Sequence, residues 1–183
     1  MLVCAKVANF APSKATLKPM KRLLALIILT LATLHIECRA QSVIVGDRLP
    51  DLHLRRWLMD IQPDQSDYTC LLFHHSESEV CRQSLRSIAA MVEEYDTALN
   101  LVIITKEDYD KAGVTLTEYL DDRVGVAFDE GGRAFRALKV SFIPFCVVCD
   151  KHRRVVWCGN GNTLTHNVMD KILTSYKYWI SQK

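Results

Sequence analysis

The 183-residue chain lacks several features that mark whole classes of protein. Its formal net charge is only +2, and it has no basic stripe and no aromatic-interleaved basic patch, so nothing in it indicates a nucleic-acid partner. It contains no internal repeat and no low-complexity segment. An uncharged apolar stretch, Leu23–Ile36, is 14 residues long. That is shorter than the roughly 20 residues that span a membrane.

This stretch has the setting of a secretory signal peptide. Lys21-Arg22 precedes it, and Cys38-Arg39-Ala40 follows with a small residue at its end. We predict a leader over residues 1–40, with Met20 as its true start and Gln41 as the first residue of the mature chain. A retained membrane anchor and acylation at Cys38 remain alternatives.

Cleavage would change the composition of the chain. The leader holds six Lys or Arg and one Glu, so the remaining 143 residues carry 17 basic and 20 acidic side chains. That length suffices for one domain with a sizeable core. Disulfides persist in secreted proteins, and an odd number of cysteines leaves at least one thiol unpaired within the chain. The five cysteines that remain are Cys70, Cys81, Cys146, Cys149 and Cys158.

Apolar runs predict alternating strands and helices, in the order β-α-β-(α)-β-α-β-β-α, after an extended segment at Val45–Leu52 and a loop at 60–67. The pattern indicates parallel strands joined by helices, then a closing hairpin and a last helix capped by Thr165. The strands are predicted at Tyr68–Phe73, Leu99–Thr105, Val124–Phe128, Phe145–Cys149 and Arg154–Cys158. The helices are predicted at Val80–Tyr95, Leu116–Asp121 and about 133–138, with the last one after Thr165.

The order of motifs resembles a known family. Val45–Leu52 is followed by an apolar strand, then Ser78-Glu79-Val80-Cys81, then Lys139–Pro144, then Asp150–Arg154. Periplasmic thioredoxin-like proteins of the TlpA/ResA type carry an equivalent opening segment, a Trp-Cys-x-x-Cys site, a Gly-Val-x-Gly-Val-Pro segment and an Asp-Lys-x-Gly-Arg strand end. The resemblance covers roughly residues 45–180. It implies an α/β thioredoxin fold with a central mixed sheet flanked by helices, and a cis Ile143–Pro144 bond opposite Cys81.

The chain departs from this family at the residues that carry its chemistry. Glu77 replaces the tryptophan, Ser78 replaces the nucleophilic cysteine, and Lys139 and Phe142 replace the glycines. In the usual cycle the first thiolate attacks a disulfide and the second resolves the mixed disulfide. A serine hydroxyl lacks this chemistry. We therefore exclude a dithiol reductase that works through positions 78 and 81, and leave open whether the protein is an enzyme.

Three functions remain open for a secreted or periplasmic protein of this kind. In the first, Cys81 acts alone, assisted by Ser78, because a helix start favours its thiolate; we expect this thiol to be partly accessible. In the second, Cys81 is a core residue and the groove formed by Glu77–Cys81 and Ile143–Pro144 holds an extended polypeptide. In the third, Ser78-x-x-Cys81 resembles a peroxiredoxin site, although His74 stands where that family has proline and only Arg82 is near.

The remaining candidate residues carry simpler predictions. His74 and His75 end a strand and should point to opposite faces. We expect no cofactor and no metal, because the loop holds only one cysteine. Cys146 and Cys149 are about 10 Å apart in a strand, beyond the ~7 Å limit for a disulfide, whereas a bridge from either to Cys158 stays open. Glu107–Asp110 is predicted to be solvated loop, and Asp129-Glu130 a turn.

Overall fold

The computed structural model describes the backbone of residues 43–180 and the side chains of residues 43–174. The predicted leader and its cleavage site lie outside these residues. Six strands form one sheet: β1 (Arg56–Trp57), β2 (Tyr68–Phe73), β3 (Leu99–Thr105), β4 (Val124–Phe128), β5 (Phe145–Asp150) and β6 (Val155–Asn160). The helices are α1 (Glu79–Tyr95), α2 (Tyr109–Leu116), α3 (Arg133–Ala137) and α4 (His166–Ile180), with 3-10 turns at Leu58–Asp60, Asp96–Ala98, Thr117–Tyr119 and Gly161–Thr163.

The sheet is mixed, with strand order β1-β4-β3-β2-β5-β6. β2, β3 and β4 run parallel, while β5, β6 and β1 each pair antiparallel with a neighbour. All seven residues of β3 are buried, as expected for a central parallel strand that is covered on both faces. The predicted α/β fold class with a closing hairpin and a C-terminal helix is confirmed.

Each face of the sheet has its own apolar core. On the first face, which we call the α1 face, side chains of β2, β3 and β5 pack against α1, α2 and α4. On the second face, Leu71, Phe73 and Val147 pack against α3 and the N-terminal segment that holds Leu49 and Leu52. That segment begins beside the edge strand β6, where the N–H of Gly46 donates to the carbonyl of Val155 at 2.7 Å. The alternation of strand side chains therefore decides which core each cysteine enters.

Two parts of the secondary-structure prediction were wrong. The helix expected at Leu116–Asp121 begins seven residues earlier, at Tyr109, and Leu116 is its last residue. Its buried stripe consists of Ala112 and Leu116, one helical turn apart, and a small alanine beside Gly113 gives a weak apolar signal. The two-residue edge strand β1 was not predicted, because its residues Arg56 and Trp57 do not form an apolar run.

Candidate functional site

The predicted site residues lie at the edge of the sheet where β2 ends and β5 begins. Phe73, the last residue of β2, pairs with Phe145, the first residue of β5. The loop after β2 therefore lies beside the Ile143–Pro144 segment that precedes β5. Gly161 packs between this segment and α1, because a Cβ placed on it would lie 3.4 Å from Pro144 Cβ and 2.3 Å from Ser84 Oγ.

Ser78 and Cys81 lie at the start of α1. Ser78 is the N-cap residue, and its Oγ accepts a hydrogen bond from the Cys81 N–H at 3.3 Å. Serine is a favoured N-cap because it satisfies one of the backbone donors that a helix start leaves unpaired. Cys81 is fully buried, with 0% of its surface exposed. The expectation of a partly accessible thiol was wrong, because the side chain faces the interior at the level of the buried residues Ser84 and Leu85.

The charged side chains of the loop are already paired. Lys111 donates a 2.5 Å hydrogen bond to Glu77 Oε1, and this bond holds the pKa of the exposed Glu77 carboxyl below its usual value. Arg82 donates to Glu79 and, at 2.6 Å, to the carbonyl of Ser76. The Arg82 guanidinium is thus engaged on the surface. It is not placed as the cation of a peroxidase site.

The Ile143–Pro144 peptide bond is cis. Pro144 itself is buried, whereas the two residues before it are exposed: Ile143 to 36% and Phe142 to 46%. Val80, in the first turn of α1, is 49% exposed. Val80 follows the loop that carries Glu77 and Ser78, and Phe142 and Ile143 precede β5, which pairs with β2 where this loop begins. We call Val80, Phe142 and Ile143 the apolar site surface. The predicted groove contained Val80 and Ile143 but not Phe142, since no sequence signal separates an exposed apolar residue from a buried one at this position.

Behind the loop lies a buried polar cluster. Glu107 is only 8% exposed, and its Oε2 accepts hydrogen bonds from the N–H of Ser76 at 2.8 Å and from the hydroxyls of Ser76 and Thr105. The prediction that Glu107 belongs to a solvated loop was wrong, because three donors inside the protein satisfy its Oε2. Its Oε1 is buried without a hydrogen-bond partner among the described residues. His75 Nδ1 lies 3.7 Å from Glu107 Oε1.

His74 is also buried, at 1% exposure, and neither ring nitrogen has a hydrogen-bond partner among the described residues. Burial lowers the pKa of this imidazole to about 4, although the nearby Glu107 carboxylate acts in the opposite direction. The ring is therefore neutral at physiological pH. His75, its neighbour, is half-buried, so the pair consists of one packed and one partly exposed histidine.

Comparison with known structures identifies the fold. A candidate thiol:disulfide interchange protein DsbE from Chlorobium tepidum superposes with a TM-score of 0.57, at 22% identity, over 73% of this chain and 98% of that one. A thiol-disulfide isomerase from Corynebacterium glutamicum gives a TM-score of 0.58 at 13% identity, over 71% and 95% of the two chains. The chain has a thioredoxin fold.

A thioredoxin-like protein from Bacteroides caccae shares this fold, with a TM-score of 0.57 and 14% identity over 85% of this chain and 57% of that one. No protein-family model matches the chain, and a search of curated proteins found no match. The thioredoxin fold that the sequence resemblance implied is confirmed. Identities of 13–22% establish the fold and leave the activity to be argued from the site.

The other four cysteines of the thioredoxin domain lie in its sheet, and none of the cysteines among residues 43–174 is bridged. Cys70 and Cys146 belong to the core of the α1 face, and Cys149 and Cys158 to the opposite side. Within the described residues, no group of three or more His, Cys, Asp or Glu side chains is placed to hold a metal ion. No helix in that part of the chain is long and apolar enough to cross a membrane.

Proposed function

We propose that this protein is an extracytoplasmic thioredoxin-fold protein, similar to TlpA/ResA thiol-disulfide oxidoreductases. We propose further that it binds extended polypeptide at the sheet edge that carries Ser78, Cys81 and Ile143–Pro144. The observation that carries the proposal is that the sulfur at this edge is buried while apolar side chains are exposed. Ser78 stands in the nucleophile position and Cys81 is fully buried, whereas Val80, Phe142 and Ile143 are exposed. The edge therefore offers apolar contact area and no accessible sulfur.

The backbone beside the apolar site surface favours an extended ligand. Neither Phe142 nor Ile143 makes a backbone hydrogen bond to any described residue. An extended peptide can pair with such free N–H and C=O groups as an added strand, and its alternate side chains can then enter apolar contacts. Exposed apolar groups gathered at one edge are typical of interaction sites, whereas single scattered ones are not.

The pattern of the leader supports an extracytoplasmic location. Lys21-Arg22, the apolar stretch Leu23–Ile36 and the small residue Ala40 follow the order of a secretory signal peptide. Intact-mass measurement of protein recovered from the secreted fraction should show loss of residues 1–40. Recovery of the uncleaved chain in the membrane fraction would contradict this part of the proposal.

Binding to a permanently unfolded polypeptide tests the proposal. The probe is fluorescently labelled, reduced and carboxymethylated α-lactalbumin, which has no thiol, and binding is followed by fluorescence anisotropy. Val80→Ser combined with Phe142→Ser should weaken binding by at least about tenfold, the equivalent of ~1.4 kcal/mol of lost apolar contact. Val114→Ser is the matched control, because Val114 is 90% exposed on α2, outside the apolar site surface. Equal affinities of both variants and the natural protein would refute the proposal.

A second candidate function, a redox role of Cys81 alone, is favoured by one observation. The cysteine lies in the first turn of α1, where its N–H is capped by Ser78, at the edge that also carries Pro144. The natural protein should not catalyse reduction of insulin by dithiothreitol, whereas Ser78→Cys should restore some activity if the loop retains the family geometry. A mixed disulfide between Cys81 and a partner protein would instead support the single-cysteine role.

A further inference from the structure

Two buried thiols meet in the core beneath α1. Cys70 lies on β2 and Cys146 on β5, and their Sγ atoms are 3.0 Å apart. Both residues are 0% exposed. Non-bonded carbon atoms are most stable about 3.5–4.0 Å apart, and sulfur is the larger atom, so these two sulfurs are closer than ordinary packing would place them.

We propose that Cys70 and Cys146 are a disulfide-forming pair that is oxidised while the protein folds in an oxidising compartment. The oxidant is a small-molecule or protein disulfide. The thiolate of one cysteine attacks it, forms a mixed disulfide and releases one thiol of the oxidant. The second thiolate then attacks the sulfur of the first cysteine, closes the Cys70–Cys146 bond and releases the second thiol. The chain loses two hydrogens, and the oxidant gains them as two thiols.

The register of the sheet places the two side chains on the same face. Cys70 pairs with Val148 and Leu72 pairs with Cys146, so the two cysteines are diagonal neighbours on adjacent antiparallel strands. Diagonal neighbours have Cα atoms about 7–8 Å apart, at or just beyond the ~7 Å limit for a disulfide, so closing the bond requires a small backbone movement. The sulfur separation of 3.0 Å shows that these side chains nevertheless converge. About 1 Å of sulfur movement remains to reach the usual bond length of ~2.05 Å.

The other two thiols of the sheet are not placed in this way. Cys149 Sγ donates to the carbonyl of Thr69 at 3.6 Å, and Cys158 Sγ donates to the carbonyl of Val43 at 3.6 Å. Each therefore has its own backbone acceptor on the side of the sheet away from α1. The bridges from Cys146 or Cys149 to Cys158, which the sequence left open, are not favoured by this arrangement.

The burial of Cys70 and Cys146 indicates when the two thiols are oxidised. Burial, followed by the hydrogen bond with Cys70, raises the pKa of the Cys146 thiol, so little thiolate is present in the folded protein. Both sulfurs are also closed to an external disulfide. Exchange must then occur before β2 and β5 close over the pair. The bond would join the strand that leads into the Ser78 loop to the strand that follows Pro144, and thus couple the two halves of the candidate site.

Thiol mapping of the full chain tests the proposal. The protein is unfolded, refolded in a buffer of reduced and oxidised glutathione, and then denatured in excess iodoacetamide without reductant. Peptide mass spectrometry should find Cys70 and Cys146 in one cross-linked pair, about 2 Da lighter than the two free peptides, and carbamidomethyl groups on every other cysteine present, including Cys81, Cys149 and Cys158. Prior reduction should make Cys70 and Cys146 reactive as well.

Two variants keep the outcome decisive. Cys149→Ala should leave the cross-linked pair intact, whereas Cys146→Ala should leave Cys70 open to alkylation. If Cys146→Ala does not refold, mapping of the natural chain and of Cys149→Ala still decides. Alkylation of both Cys70 and Cys146 before reduction, or a different cross-linked pair such as Cys149 with Cys158, would overturn the proposal.

Discussion

At the scale of single residues, the position of Cys81 in the sequence suggests redox chemistry, whereas its environment in the fold does not. Its position in the first turn of α1 is that of a resolving cysteine in the TlpA/ResA proteins that the sequence resembles. Its sulfur is fully buried, so a disulfide or an alkylating reagent reaches it only when the start of the helix opens locally. Burial is therefore the deciding property. It depends on the side chains that pack over the first turn of α1, which the local sequence does not specify.

Burial predicts the order in which the thiols react. In the folded protein iodoacetamide should modify Cys158 first, because it is half-buried in the edge strand β6, and should leave Cys81 unmodified. Exposure of Cys81 requires local opening, and an opening cost of ~3 kcal/mol already slows labelling by about 100-fold. Labelling followed by peptide mass spectrometry, with Cys81→Ser to identify the peptide, measures both rates. Equal rates for Cys81 and Cys158 would show that the site is open.

At the scale of secondary-structure elements, α1 is held against the Pro144 segment by the small 3-10 turn that begins at Gly161. A Cβ on Gly161 would lie 2.3 Å from Ser84 Oγ, which is buried and has no hydrogen-bond partner among the described residues. The sequence predicts a turn at Gly161 but no contact between it and Ser84. Their fit exists only after α1 and the turn after β6 have been brought together.

A double-mutant cycle tests this contact. Gly161→Ala should lower the free energy of unfolding by about 1–3 kcal/mol, the usual cost of overpacking. Ser84→Ala alone should cost little, because it removes an unpaired buried hydroxyl. In that background the nearest atoms to the new methyl group are Leu72 Cδ1 at 3.3 Å and Pro144 Cβ at 3.4 Å, so the cost of Gly161→Ala should fall.

Urea unfolding of the four proteins in the cycle measures the coupling energy. Gly131→Ala is the matched control, because the nearest atom to its Cβ is 3.8 Å away, and it should change stability by less than about 0.5 kcal/mol. Strictly additive effects of Ser84→Ala and Gly161→Ala would contradict the proposed contact.

Most elements could be predicted from the sequence, because local patterns specify them. The continuous apolar runs of β2, β3 and β4 predicted their bounds, and Thr165 marked the start of α4. The helix α2 was misplaced because its apolar stripe consists of only two residues, Ala112 and Leu116. Local patterns do not state which distant residues will cover a given side chain.

At the scale of the whole molecule, this limit explains which parts of the candidate site were foreseen. Glu77, Ser78, Cys81 and the Ile143–Pro144 segment were placed at one edge, because strand order and the thioredoxin resemblance both bring β2 and β5 together. The polar cluster behind that edge was not foreseen. Glu107 has the sequence context of a charged loop, and only the folded chain supplies the donors of Ser76 and Thr105.

The same buried region predicts how global stability depends on pH. The pKa of His74 is about 4 in the folded protein, against an ordinary value of 6.5. Between these values the unfolded chain binds the proton and the folded chain does not, so stability is full above pH 6.5 and decreases as the pH falls toward 4. The total loss from this group is about 3 kcal/mol, of which about 2 kcal/mol is lost by pH 5.

Replacement of the buried imidazole should therefore remove this part of the acid sensitivity. His74→Leu leaves no polar partner orphaned, because neither ring nitrogen is hydrogen-bonded to a described residue, and the leucine fills a similar volume. Urea unfolding at pH 7 and pH 5 should show a stability loss that is smaller in His74→Leu than in the natural protein by about 2 kcal/mol. His152→Gln, at an exposed position in the β5–β6 turn, should retain the natural loss. If His74→Leu and His152→Gln lose equal stability at pH 5, then the Glu107 carboxylate compensates for the charge on His74, and the burial of this ring does not control the acid limit of the fold.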